Sequence, residues 1–252
     1  MSKQDPLFIG WSADMPRVDR RFMLGLGAGL VGLGAGAGAL IARAHEGDAG
    51  GRWDMGDVRD FSGLLLSEPY PLLRTLELDG TPRTAFLSTS GKSAVRLPQG
   101  LAPGPVRVRA SLIARDSHAM LALVDDERAI ARIEGEPAAA LIDWPEQSLG
   151  EVMRVGEILD AKCWFGAMRP GFGRTHKACA ALCARGGLPL AFCAGDVCTE
   201  GGEAPLFLDA AGRAHGRAIL PLVADPVLVR GRLVRVGDCV QWRAAPTDIR
   251  RL

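Results

Sequence analysis

A segment in the middle of this chain is repeated, without gaps, near its end. TAFLSTSGKSAVRLPQGLAPGPVRVRASL, beginning at Thr84, aligns with PLFLDAAGRAHGRAILPLVADPVLVRGRL, beginning at Pro205, at a constant offset of 121, the separation of Pro105 and Pro226. Phe86 meets Phe207, Leu87 meets Leu208, Gly91 meets Gly212, Arg96 meets Arg217, Val108 meets Val229 and Leu112 meets Leu233. Agreement at apolar, glycine and proline positions is what two copies of one β-unit share, because those positions set core contacts and turns. The openings match in kind as well: SGLLLSEPYPLL at Ser62 and VGEILDAKCWFG at Val155.

The runs within each copy alternate or stay apolar over strand lengths. FSGLLL, TAFLST, VRVRASLIA and AMLALVDD belong to the first, LFLDA, VLVRGRLVRV and CVQWRA to the second. The chain is therefore expected to be mainly β: an N-terminal transmembrane or signal helix, then two repeated small barrel-like units of about five strands each, of the oligonucleotide/oligosaccharide-binding (OB) shape. One continuous β-sandwich is the alternative. The OB analogy concerns shape and says nothing of nucleic acid. The expected boundaries are a polar segment 1–21, a helix 22–44, a linker 45–57, a first unit 58–145 and a second unit 146–252.

The copies differ in length at one place. The first passes from its opening strand to TAFL in about 20 residues, whereas the second needs about 45 before LFL. The excess, 160–200, is a cassette that holds five of the six cysteines: Cys163, Cys179, Cys183, Cys193 and Cys198. Insertions on a rigid scaffold are where function concentrates. HKACAALCARGG predicts one short helix stopped at Gly186 and Gly187. His176, Cys179 and Cys183 then fall at i, i+3 and i+7 on one face. Cys163 joins them across the turn Arg169-Pro170-Gly171-Phe172-Gly173.

Three thiolates and an imidazole suit zinc, copper or an iron–sulfur cluster, so Cys163, His176, Cys179 and Cys183 are the candidate metal ligands. Met168 is a candidate soft axial ligand or a packing residue. Cys193 and Cys198 flank Ala-Gly-Asp-Val and are a candidate hairpin-closing disulfide. Structural disulfides throughout, or a redox-active dithiol, are the competing readings. Cys179 and Cys183, at i, i+4, are poorly placed to pair with each other, which leaves Cys163 as the partner of either. Cys239 reads as a small core residue, and His118 and His215 as turn residues. Arg169, Arg174, Lys177 and Arg185 form a basic rim suited to thiolates or to an acidic partner, or an ordinary solvated face.

Arg20 and Arg21 precede an uncharged run from Phe22 to Ala42, about 20 residues, enough to cross a bilayer as a helix. Arg-Arg-x-Met-Leu resembles a twin-arginine export signal, with Asp19 in the place of the usual Ser or Thr. Ala42-Arg43-Ala44 is a possible cleavage site; uncut, the segment is a single anchor with its basic end inside and the body outside. The string Gly27-Ala28-Gly29-Leu30-Val31-Gly32 matches a dinucleotide fingerprint, but no strand precedes it and its surroundings are wholly apolar. With a net charge of +1 and one tyrosine, the composition gives no basis for a nucleic-acid partner. The sequence carries no HExxH, GxSxG or P-loop, so nothing points to hydrolysis.

The pattern DxKCxxGxMxPGxGxxHxxCAxxCxxGGxP, from Asp160 to Pro189, resembles a segment of uncharacterised bacterial membrane-anchored proteins. The resemblance implies company with respiratory or periplasmic redox systems, and it treats Cys163, His176, Cys179 and Cys183 as one unit. The expectation is a periplasm-facing protein of the inner membrane that binds a metal or cluster for electron transfer or complex assembly, with membrane redox proteins as partners. A non-catalytic adaptor with disulfides and a thiol–disulfide or metal-delivery factor are the alternatives.

Overall fold

The computed structural model describes residues 16–45, 50–195 and 204–252. The chain divides into two units, Met1–Gly47 and Asp48–Leu252. In the first, α1 (Arg17–His45) is a single helix whose Arg17–Arg43 stretch is long and apolar enough to cross a membrane, with its apolar window not buried against protein. Twenty-seven residues at about 1.5 Å each give roughly 40 Å, longer than the roughly 30 Å of a bilayer's hydrocarbon core.

The second unit contains two barrels of one topology. The first is built from β1 (Gly51–Leu66), β2 (Leu72–Leu76), β3 (Pro82–Ser88), β4 (Gly104–Arg115) and β5 (His118–Leu123). Its strands close in the order β1-β2-β3-β5-β4 and back to β1, with β3 and β5 parallel and β6 (Ile130–Arg132) extending β4. A short helix, α2 (Ala139–Ile142), leads to the second barrel. This repeats the order as β7 (Glu146–Asp160), β8 (Leu190–Ala194), β9 (Leu206–Leu208), β10 (Pro226–Val236) and β11 (Cys239–Arg243), with β12 (Ile249–Arg251) on β10. The duplication is visible in register. Arg115 pairs with His118, and 121 residues on, Val236 pairs with Cys239; Gly63 faces Val106, and Gly156 faces Val227. The expected architecture of two small OB-like barrels is what the chain forms. Closure leaves few open strand edges, so short strands suffice.

One boundary needs correction. The stretch expected as a linker to residue 57 is largely strand, since β1 begins at Gly51. Its glycines and charges read as linker because both faces of Met55–Asp60 are exposed, yet the backbone pairs with β4 on both sides of a bulge between Trp53 and Val58.

Each barrel has its own core, around Leu65, Leu87, Val108 and Leu121 in the first and Phe192, Phe207, Val229 and Trp242 in the second. A third cluster joins them. It contains Leu72, Phe86, Ile113 and Met120 of the first barrel, Leu159, Leu206 and Leu208 of the second, and Trp164 and Phe165 of the cassette. At the same junction Asp238, in the β10–β11 turn, accepts hydrogen bonds from the Thr84 N–H and Oγ1, both at 2.6 Å. His118 and His215 are half-buried and ring-stacked rather than exposed in turns: His118 lies parallel to Phe165 at 5.0 Å and His215 against Phe207 at 4.6 Å.

A three-thiol cluster between the barrels

The cassette leaves β7 at Asp160 and returns as β8 at Leu190, so it occupies the loop that in the first barrel only links β1 to β2. It opens with one π-type turn, Cys163–Ala167, interrupted at Gly166 with φ +140. Side chains of the first barrel hold this turn. Arg115 donates to the Trp164 carbonyl at 3.0 Å and lays its guanidinium 3.5 Å from the centre of the Trp164 ring. Gly51 and Gly166 meet so closely that a Cβ on either would lie within 2.5 Å of the other strand's backbone.

Next comes the predicted helix, α3 (Lys177–Arg185), with His176 at its N-cap. Its end follows from the sequence. Gly187 takes φ +82, its N–H bonds the Ala184 carbonyl at 3.0 Å, and Leu188 N–H bonds the Cys183 carbonyl at 3.1 Å. This is a Schellman ending, and Leu188 packs on Cys183 as that motif favours. Gly186 serves a different purpose. A Cβ there would stand 2.0 Å from the Lys92 carbonyl oxygen, and its own carbonyl accepts the Ala94 N–H at 2.9 Å. The missing side chain lets the β3–β4 loop of the first barrel dock on the helix end.

These contacts assemble the cluster. The sulfurs of Cys163, Cys179 and Cys183 lie within 4.8 Å of one another. Cys163 Sγ is 3.7 Å from Cys179 Sγ, close to the ~3.8 Å edge of a tetrahedron with metal–sulfur bonds of about 2.3 Å and far beyond the ~2.05 Å of a disulfide. Cys163 and Cys183 are buried, Cys179 is half-buried, and all three are free thiols.

His176 joins a second, overlapping group. A ring nitrogen of His176, a carboxylate oxygen of Asp160 and Cys163 Sγ also lie within 4.8 Å of one another. His176 Nε2 is 2.7 Å from Asp160 Oδ2, both side chains being fully buried, while Asp160 Oδ1 accepts the Cys163 N–H at 2.8 Å. His176 Nδ1 is buried without a hydrogen-bond partner. The structure thus brings His176 to Cys163, but not into one group with Cys179 and Cys183. Asp160, which orients both His176 and Cys163, was missed as a site residue although it opens the DxKC pattern.

Two lysines attend the sulfurs. Lys92 Nζ, from the first barrel, donates to Cys179 Sγ at 2.7 Å. Lys162 Nζ donates to the carbonyls of Thr89, Ser90 and Gly91 at 2.7, 3.0 and 2.8 Å, pinning the loop that carries Lys92. Burial pulls the Lys162 ammonium down to about 8, against the attraction of the nearby thiols. The hydrogen bond to Cys179 raises Lys92. The contact with Cys183, and burial, push the Cys163 thiol up, and the same contact holds Cys183 down. Burial alone would raise Asp160, but the bonds from His176 and the Cys163 N–H keep it low.

The expected basic rim is partly spent on structure. Arg169 donates to the Gly51 carbonyl and Lys177 pairs with Asp225; Arg174 and Arg185 are exposed. Met168 is 40% exposed and belongs to neither donor group. Cys239 is half-buried and packs against the inter-barrel core. Cys193 is buried in β8 and is not among the free thiols; Cys198, its expected partner, lies outside the described residues. Comparison with protein-family models, curated proteins and solved structures gives no match, so the arrangement stands on its own geometry.

Proposed function

We propose that this chain is a membrane-anchored protein of the bacterial inner membrane, its barrels on the periplasmic side, that binds a transition-metal ion through Cys163, Cys179 and Cys183. The convergence of three free sulfurs inside 4.8 Å carries the reading. Soft thiolates select zinc, copper(I) or iron, and the neighbouring Lys92 and Lys162 offset their negative charge. His176 lies in the overlapping group with Asp160 and Cys163, outside the group of three sulfurs, and is the further donor of this reading. Its Nδ1 is buried and unpartnered, and its bond to Asp160 matches the carboxylate–histidine pairing that orients metal-bound imidazoles. Among respiratory proteins such a centre would serve electron transfer or the assembly of a partner's metal site. The span Arg17–Arg43 supplies the anchor or the export signal, and a Cys193–Cys198 bridge fits an oxidising compartment.

The test is elemental analysis and absorption spectroscopy of the full chain, purified in detergent after growth with zinc, copper and iron. About one metal per chain is expected, with occupancy lost in C179S and C183S, and affinity lowered about 10- to 100-fold in H176A. A wild-type protein that takes up no more metal than the triple variant C163S/C179S/C183S defeats the proposal.

A further inference from the structure

The three thiols are not equivalent, and the difference points to chemistry that metal binding does not require. Cys163 is 4% exposed and Cys183 1%, while Cys179 is half-buried and alone within reach of a molecule in solution. Directly behind it, 3.7 Å away, is Cys163 Sγ. Cys183 lies one helical turn from Cys179, side by side with it, in the relation least suited to a disulfide. Cys163 approaches from a separate element, the π-type turn, and is the one sulfur of the cluster that meets Cys179 from outside α3.

We infer that the cluster carries out thiol–disulfide exchange with a solvent-exposed disulfide, Cys179 attacking first and Cys163 resolving. The inference is independent of the metal reading. In the first step the Cys179 sulfur attacks one sulfur of the external disulfide. The external S–S bond breaks, one thiol leaves carrying the proton lost by Cys179, and a mixed disulfide forms at Cys179. In the second, Cys163 Sγ attacks Cys179 Sγ. The mixed disulfide breaks, the second thiol leaves with the proton from Cys163, and a Cys163–Cys179 bond forms. Two electrons pass from the two protein thiols to the external disulfide, which becomes two thiols; Cys183 stays reduced. The second step moves two sulfurs from 3.7 Å to about 2.05 Å. Asp160 restrains this motion to the side chain by gripping the Cys163 N–H at 2.8 Å. The ammonium of Lys92, 2.7 Å from Cys179 Sγ, places positive charge where the attacking sulfur is negative.

The experiment uses metal-free full chain in detergent, carrying C193S, C198S and C239S so that Cys163, Cys179 and Cys183 are its only cysteines, reduced before use, with oxidised glutathione as the probe. Two glutathione thiols should be released per chain, and peptide mapping should join Cys163 to Cys179. With C163S added, the reaction should stop at one glutathione on Cys179, with one thiol released. With C179S it should run at least ten-fold slower. Brief alkylation of the unsubstituted protein, mapped by mass, should label Cys179 before Cys163 and Cys183. A C179S protein that reacts at the parent rate, a C163S protein that accumulates no adduct on Cys179, or alkylation that reaches Cys163 or Cys183 first overturns the inference. Because no metal is present, none of these outcomes bears on metal binding, and a failure to bind metal leaves the exchange untouched.

Discussion

Gly186→Ala isolates the contact that ties the cluster to the first barrel. Gly186 has φ −74 and ψ −2, a conformation that alanine adopts freely. Judged on backbone preference alone, the substitution should stabilise the protein by about 0.4–1 kcal/mol. The packing predicts the reverse. The new Cβ would sit 2.0 Å from the Lys92 carbonyl oxygen and 3.1 Å from Ser93 Cα, both backbone-fixed. Relief requires the helix end and the loop to part by about 1 Å, an overpacking cost of about 1–3 kcal/mol. The Ala94 N–H bond to the Gly186 carbonyl is lost with it, at about 1 kcal/mol. The net expectation is a loss of about 1–3 kcal/mol in urea unfolding of the metal-free reduced protein. Alkylation of Cys179 should slow, because Lys92 is drawn off its sulfur and the attacking sulfur loses the positive charge beside it. Gly187→Ala is the control. With φ +82 it costs about 1–2 kcal/mol in backbone strain, but its Cβ meets only Ala94 Cβ at 3.5 Å, so Cys179 should keep its parent alkylation rate. A stabilised Gly186→Ala with unchanged Cys179 reactivity would refute the docking argument.

Lys162→Met strips the ammonium from three carbonyls of the Thr89–Gly91 loop; a loss of about 2–3 kcal/mol in urea unfolding is expected, together with slower alkylation of Cys179 as Lys92 leaves its sulfur. Asp238→Ala removes both bonds to Thr84 and should lower stability by about 1–2 kcal/mol, read by the same unfolding curves. His215 is held below its ordinary 6.5 by burial against Phe207. The unfolded chain therefore takes up this proton first, and stability falls as pH drops below about 6.5 and levels off below the folded value. His215→Phe should flatten that part of the urea-midpoint profile between pH 7 and 5; an unchanged slope would show that His215 does not contribute.

The barrels were legible because their information is local and doubled. Val106, Val108, Val227 and Val229 are buried and alternate with less buried neighbours, the Pro105/Pro226 pair opens the same strand, and the Gly63/Gly156 pair permits the same close approach in both copies. The three cysteines were legible as a group because helical spacing puts two on one face and the turn supplies the third. What the spacing did not reveal is what reaches the cluster from elsewhere. Lys92 is 87 residues from Cys179 in sequence, and only the docking of a loop on Gly186 makes them neighbours. The burial of His118 escaped for the same reason, since Phe165 belongs to the cassette; that of His215 escaped because only the folded turn after β9 brings it back onto Phe207. The strand from Gly51 was hidden because an edge with both faces wet has no alternation to read.

The placement of Trp164 and Phe165 in the core shared by both barrels has a consequence for how the gene can be cut. An insertion usually hangs from its host and can be trimmed or transplanted with it. Here the inserted segment is a wedge driven into the seam, and its tip leans on Arg115 and His118 of the other copy. Either barrel expressed alone would present an open apolar socket and no assembled thiols, so the duplication and the insertion must be inherited, and engineered, as a single piece.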